Sequence, residues 1–302
     1  LILTPMSGAT IDLYVPSLPY ITHHFNSSNT LVQLTITAYL FGYGLFQTFY
    51  GTLSDSFGRR GMLIFGLFLY VASSLMAPLA HNIYVLLVLR FIQGIGIGGP
   101  GVLTKSIISD RFAGMRLAKI SNYMAIVWAI GPIVAPFIGG YLQAYIGWQA
   151  PFYFMAAYGL ISVILVMFFM PETNFNRHPL QLKTVSNNYK MILTHKIFIG
   201  AVVLLALSYS LITVFNVIGP FLIQKVLGYS PILYGHMALL LGVAWFIGNA
   251  LNRLLMVRLH AHHIIITSIL ISLVVSVGML VIGLCEHISL WVIVVPTFIL
   301  FV

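Results

Sequence analysis

The sequence holds little acidic charge: five Asp and Glu among 302 residues. Charge of either sign is scarce, at 6% of the chain, where a soluble domain carries about 25%. With 60% hydrophobic residues and a mean hydropathy of +1.02, a soluble globular fold is excluded and the solvent is lipid. One cysteine, Cys285, excludes an intrachain disulfide and says nothing of redox compartment. There is no Gly-rich phosphate loop ending in Lys and Ser or Thr, which excludes an ATP engine within the chain. No nucleophile, base and orienting group stand in a workable pattern, so the chain does not read as an enzyme, and no cofactor is expected. His260, His262 and His263 form a dense run, but no acidic or cysteine ligand lies near it, so it reads as a solvated loop and no metal site is assigned.

What the chain does have is long apolar runs. A membrane-spanning helix needs about 20 mostly apolar residues in a row. Such runs lie near 1–22, 29–50, 60–80, 82–107, 117–145, 148–170, 197–224, 231–256 and 263–284, and a tenth begins near 288. The expected fold is an all-α polytopic membrane protein. The first and last runs lack polar flanks, so the chain is expected to be part of a longer protein.

Basic residues outnumber acidic ones, 14 to 5, a balance that often marks nucleic-acid binding. Their placement argues otherwise. Arg59 and Arg60 follow the second run, Arg111, Arg116 and Lys119 the fourth, Arg177, Lys183, Lys190 and Lys196 the sixth, and Arg253 and Arg258 close the eighth. The opposite connections hold only Lys225, while Arg90 and Lys105 lie inside the fourth run. Lys and Arg gather on the cytoplasmic side. The even-numbered connections are therefore expected in the cytoplasm, along with the start of the first helix. The longest polar connection, PETNFNRHPLQLKTVSNNYK, divides the chain into a six-helix bundle over 1–170, a cytoplasmic linker over 171–196 and a second bundle over 197–302. Two related halves are a common transporter plan. FGYGLFQTFYGTLSDSFGRR is faintly echoed by LGVAWFIGNALNRLLMVRLH in the later part.

Four stretches concentrate unusual residues. GTLSDSFGRR, 51–60, sits on the cytoplasmic turn. Gly51 suits a close helix approach, Gly58 a tight turn, and Asp55 and Arg59, four apart, can pair. Asp110 is placed to join them; the alternative is that Arg59 and Arg60 are topology anchors alone. GPIVAPFIGG, 131–140, puts Pro132 and Pro136 inside a helix, where each removes a hydrogen bond. Its Gly131, Gly139 and Gly140, with Ala135 between, leave room for a neighbouring helix. LRFIQGIGIGGPG, 89–101, buries Arg90 roughly 12 Å below the outer end at 1.5 Å per residue. TIDLYVPSLP, 10–19, buries Asp12 roughly 15 Å deep by the same rise, the one acidic residue within a run. Such charges are expensive and functional by default. Asp12 can take a proton or meet a cationic substrate; the alternative is a static ion pair with Arg90. Tyr14, Tyr39, Gln93, Tyr123, Tyr209 and Asn216 are candidate cavity residues, with helix packing as the competing use.

These stretches resemble the major facilitator superfamily. GTLSDSFGRR matches its signature loop at Gly51, Leu53, Asp55, Gly58, Arg59 and Arg60; LRFIQGIG resembles its R-x-x-Q-G-x-G motif. GPIVAPFIGG resembles the antiporter signature of drug-efflux members. D-x-Y-x-P-x-L-P at 12–19 and WQAPF at 148–152 resemble the Bcr/CflA multidrug efflux branch, as does KSIISD, where Lys105 stands in place of the branch's usual Arg. The resemblance implies twelve helices in two bundles, about nine and a half covered by this chain, acting as a monomer in the bacterial cytoplasmic membrane. It implies a proton-coupled antiporter that exports drug-like molecules, energised by the proton gradient. Asp12 and Arg90 then couple proton and substrate, and the signature loop is a cytoplasmic gate. A proton symporter importing a metabolite and a non-transporting receptor or scaffold are the alternatives; GPIVAPFIGG speaks against the first and the buried charges against the second.

Overall fold

The computed structural model describes residues 2–175, 189–257, 259–284 and 289–301. Arg177, Pro179, Lys183, Arg258, Cys285 and most of the expected linker lie outside the described residues.

All regular structure among the described residues is helical. The first expected span is not one straight helix. α1 (Met6–Tyr14) passes through a 3-10 turn, Val15–Ser17, into α2 (Leu18–His24). Pro16 and Pro19, which lack an N–H, sit where the helical hydrogen-bond pattern is interrupted. α3 (Asn29–Phe57) starts where the Ser28 hydroxyl accepts the Leu31 N–H at 3.2 Å. It stops at Gly58, whose φ of 97° is open to glycine and strained for other residues. α4 (Arg59–Met76) begins at the next residue. α5 (Ile83–Arg111) is capped by Asn82, and α6 (Gly114–Tyr145) runs unbroken across Pro132 and Pro136. α7 (Ala150–Phe169) ends the first group. α8 (Lys196–Pro220) continues as a π-helical turn, Phe221–Val226. α9 (Pro231–Leu255), α10 (Ala261–Leu284) and α11 (Leu290–Phe301) follow.

Seven of these stretches are long and apolar enough to cross a membrane. Three positions expected to span fall short for separate reasons. The first is broken in two. α3 is 29 residues long, but Gln33, Thr35, Tyr39, Tyr43 and Gln47 lower its hydropathy. α11 has 12 residues. Large apolar side chains such as Leu79, Phe168 and Val274 stand exposed on the outer faces, as lipid-solvated helices require.

Within the first group α3 packs along α5, α4 lies between α5 and α7, and α6 packs on α1. α6 also packs on α9, joining α1–α7 to α8–α11. Further bonds between the two groups lie towards the end opposite Gly58. Gln224 Nε2 donates to Pro16 O at 3.1 Å, Lys225 Nζ to Asn29 Oδ1 at 3.2 Å, and Gln33 Nε2 to Val217 O at 3.1 Å. The space between the groups is closed at that end.

Candidate functional site

α1 carries functional side chains on two faces. Asp12, 6% exposed, turns to the space between the helix groups. There Asn216 of α8 donates from Nδ2 to Asp12 Oδ1 at 2.7 Å. Around this bond lies a cleft of about 230 Å³, lined among others by Trp128, Pro132, Tyr209, Phe215 and Trp245. Trp128 and Trp245 meet edge to face, their ring centroids 6.4 Å apart, across the α6–α9 boundary. Among the described residues, no Lys or Arg lines the cleft. One carboxylate among aromatic faces is a chemistry that accepts cationic or aromatic molecules.

Tyr14 is two residues on, about 200° around a helix of 3.6 residues per turn, and it faces Arg90. The Arg90 guanidinium is fully buried and lies 4.4 Å from the Tyr14 ring centroid and 4.6 Å from that of Tyr39. Its Nη1 donates to Gln93 Oε1 at 2.5 Å, and Gln93 Nε2 donates on to Ser74 Oγ at 2.6 Å. Tyr14 shares a hydrogen bond with Thr35 at 2.9 Å, and the Tyr39 hydroxyl donates to Ser7 O at 2.9 Å. Aromatic faces thus take the place of a counter-ion. The structure does not form the ion pair weighed for Arg90 and Asp12: the ion pairs among the described residues are the two that Arg59 makes.

The candidate cavity residues therefore divide. Tyr209 and Asn216 line the cleft with Asp12. Tyr14, Tyr39 and Gln93 surround Arg90 instead. Tyr123 is 62% exposed on α6 and joins neither set. Trp128, Phe215 and Trp245 were missed, because aromatics in apolar runs read equally well as lipid contacts.

GPIVAPFIGG forms a wedge. Pro132, Ile133 and Pro136 face the cleft, and Ala135 is buried. A Cβ on Gly139 would lie 2.2 Å from Leu13 O of α1, and one on Gly140 2.5 Å from Pro231 O of α9. Neighbouring glycines thus admit one backbone from each helix group. Gly131 sits against Pro5 in the same manner.

The signature loop forms a cluster at the far end. Arg59 Nη1 lies 2.6 Å from Asp55 Oδ1, Arg59 Nε lies 3.2 Å from Asp110 Oδ2, and Nη1 donates to Ser54 Oγ at 2.5 Å. Arg60 Nη2 donates to Met167 O at 2.5 Å, answering a last-turn carbonyl of α7. The close approach expected at Gly51 is not made: an added Cβ meets no heavy atom within 4 Å among the described residues. Gly51 O accepts the Ser54 hydroxyl instead. Glu172, just past α7, was missed. Its Oε1 accepts the Arg59 N–H at 2.9 Å and its Oε2 the Arg60 N–H at 3.1 Å. Burial alone would raise its carboxyl; the backbone N–H donors of Asn174, Thr173, Arg59 and Arg60 outweigh this and hold it below the ordinary glutamate value.

Apolar helices long enough to cross a membrane pack around a cleft with a buried carboxylate, the architecture of a multi-pass membrane protein. The chain belongs to the Major Facilitator Superfamily, whose family model matches residues 1–302. It is 28% identical over 253 residues to a bicyclomycin resistance protein homolog of Haemophilus influenzae, covering 83% of this chain and 64% of that protein. It is 31% identical over 237 residues to the multidrug resistance protein MdtL of Salmonella heidelberg, covering 78% and 60%. These relatives accord with the Bcr/CflA resemblance in the first half. A bacterial homolog of the human lysosomal transporter Spinster, solved in an inward-facing and unoccupied conformation, shares the fold, with a TM-score of 0.72 at 16% identity over 100% of this chain and 71% of that one. The chain spans 60 to 65% of the length of the first curated relatives. The membrane-crossing helices and bacterial relatives make it a multi-pass protein of the bacterial inner membrane.

Proposed function

We propose that the chain is the larger part of a proton-coupled multidrug antiporter that exports drug-like molecules by alternating access. The observation that supports it most is the Asp12 carboxylate, held by Asn216 of the other helix group at the centre of an aromatic cleft. A proton and a drug that both require this carboxylate exclude one another, and mass action then couples their opposite movements. The aromatic walls favour flat or cationic drugs. GPIVAPFIGG, wedged between α1 and α9, sets how the two groups separate. The bundles are 1–170 and 197–302, joined by 171–196, and the N-terminus lies in the cytoplasm. Arg59, Asp55 and Asp110 act there as a gate. Arg59's ion pairs both lie within the first group, so the difference between states comes from how this cluster meets the second group. Protons supply the energy, without a cofactor.

The test is efflux of a drug panel driven by an imposed proton gradient in cells making the full-length protein. The Asp12→Asn variant is expected to reach the membrane and lose gradient-driven efflux. Undiminished drug-induced proton release from that variant refutes the assignment.

A further inference from the structure

We propose that Glu172–Thr173–Asn174, the segment leaving α7, is a clip that positions the Arg59 gate, an inference that rests on the gating reading above. α3 ends and α4 begins on either side of one residue, Gly58. Helix ends leave backbone groups without partners: N–H at the start, C=O at the finish. The tripeptide answers both. Glu172 takes the first two N–H groups of α4, those of Arg59 and Arg60. Asn174 Nδ2 donates to the closing carbonyls of α3, Asp55 O at 3.0 Å and Ser54 O at 3.3 Å. Thr173 Oγ1 donates to Asp110 Oδ2 at 3.2 Å, the oxygen that also receives Arg59 Nε.

Every residue whose side chain fixes the Arg59 guanidinium is thereby touched by the clip. Its backbone N–H is bound by Glu172. The carbonyls of its partners Ser54 and Asp55 are bound by Asn174. The carboxylate of its third partner, Asp110, is shared with Thr173. Glu172 is itself held by the N–H groups of Thr173 and Asn174 at 2.9 and 3.0 Å, so the tripeptide is folded back on its own carboxylate. A two-helix corner through a glycine has no side chain of its own to set its angle, and here the angle is set from outside. Glu172 is thus a positioning residue: it acts on the gate through Arg59 and lies at the opposite end of the helices from the Gln224–Pro16, Lys225–Asn29 and Gln33–Val217 bonds.

The test is a double-mutant cycle in the full-length protein, reading turnover at saturating drug and equilibrium drug binding separately. E172A is expected to lower turnover about tenfold, the scale of losing hydrogen bonds to a charged acceptor, with drug affinity unchanged. E172Q is expected to fall between, because Gln keeps one acceptor oxygen. Amide exchange at Arg59 and Arg60 is expected to rise in E172A. E172A/R59A is expected to be no slower than R59A. If R59A is slow and the double variant is slower by the full E172A factor, the clip is overturned and Glu172 is an independent helix cap. If R59A turns over like wild type, the gating reading falls, and the clip with it. Should E172A fail to accumulate, N174A, which leaves the carboxylate in place, is carried through the same cycle with the same two outcomes.

Discussion

Gly139 and Gly140 are adjacent, yet the structure predicts different consequences for adding one methyl group to each. A Cβ at Gly139 would lie 2.2 Å from Leu13 O, and one at Gly140 2.5 Å from Pro231 O, where ordinary contact begins at 3.4 Å. Each helix pair must therefore separate by about 1 Å, and overpacking of this kind costs about 1–3 kcal/mol. The α6–α1 contact lies within one helix group, so both transport states carry that cost. Gly139→Ala should lower thermal stability and, because Leu13 adjoins Asp12, displace the carboxylate and weaken drug binding. The α6–α9 contact joins the two groups and belongs to the state closed at this end. Gly140→Ala should penalise that state alone, shifting the ratio of states by about 5- to 150-fold for 1–3 kcal/mol. Gly44→Ala is the control, since its Cβ meets nothing within 4 Å. Spin labels at the exposed Tyr145 and Tyr229, on opposite groups at the closed end, report the separation directly. Longer label distances are expected in Gly140→Ala, with wild-type distances in the other two. If Gly139→Ala and Gly140→Ala give the same distances and the same binding, the division of α6 into two contact faces is wrong.

The clip has a pH dependence of its own. Glu172 is held below the ordinary glutamate value of 4.5, so its contribution is complete above that value and is lost as pH falls through the lower folded value. Amide exchange at Arg59 and Arg60, corrected for its intrinsic pH dependence, should stay protected from neutral pH down past 4.5 and be released only in stronger acid; release well above 4.5 contradicts the bonding seen here. Tyr209→Ala should weaken drug binding and Tyr123→Ala should not, because only Tyr209 lines the cleft. Equal losses measured by equilibrium binding would move the cleft elsewhere.

Hydropathy and charge placement made the helices readable, since lipid demands long apolar runs and anchors basic residues on one side. The break at Val15–Ser17 was less so: Pro16 marks a disturbance, but whether a helix bends, tightens or stops there depends on its neighbours. Depth along a helix was readable and angle around it was not. Asp12 and Arg90 were placed at comparable depth, yet Tyr14 and Tyr39 stand with Arg90 while Asp12 faces Asn216. Glu172 lay hidden in a polar stretch that reads as linker, 112 residues along the chain from Arg60, a partner only the folded chain supplies. Gly51 matches the signature loop without the contact its size suggested.

The solitary carboxylate in the cleft also has an electrical consequence. Arg90 has no acidic partner among the described residues and does not line the cleft, so the charge to follow in the proposed exchange is the one that occupies Asp12. Under the proposed exchange, one proton traded for one monovalent cation leaves no net charge transferred, and membrane voltage contributes nothing. One proton traded for an uncharged molecule carries a full charge across, and each 100 mV then adds about 2.3 kcal/mol to the driving force. A cell whose voltage collapses while its proton concentration difference survives would keep exporting cations through this cleft and lose much of its reach over neutral compounds.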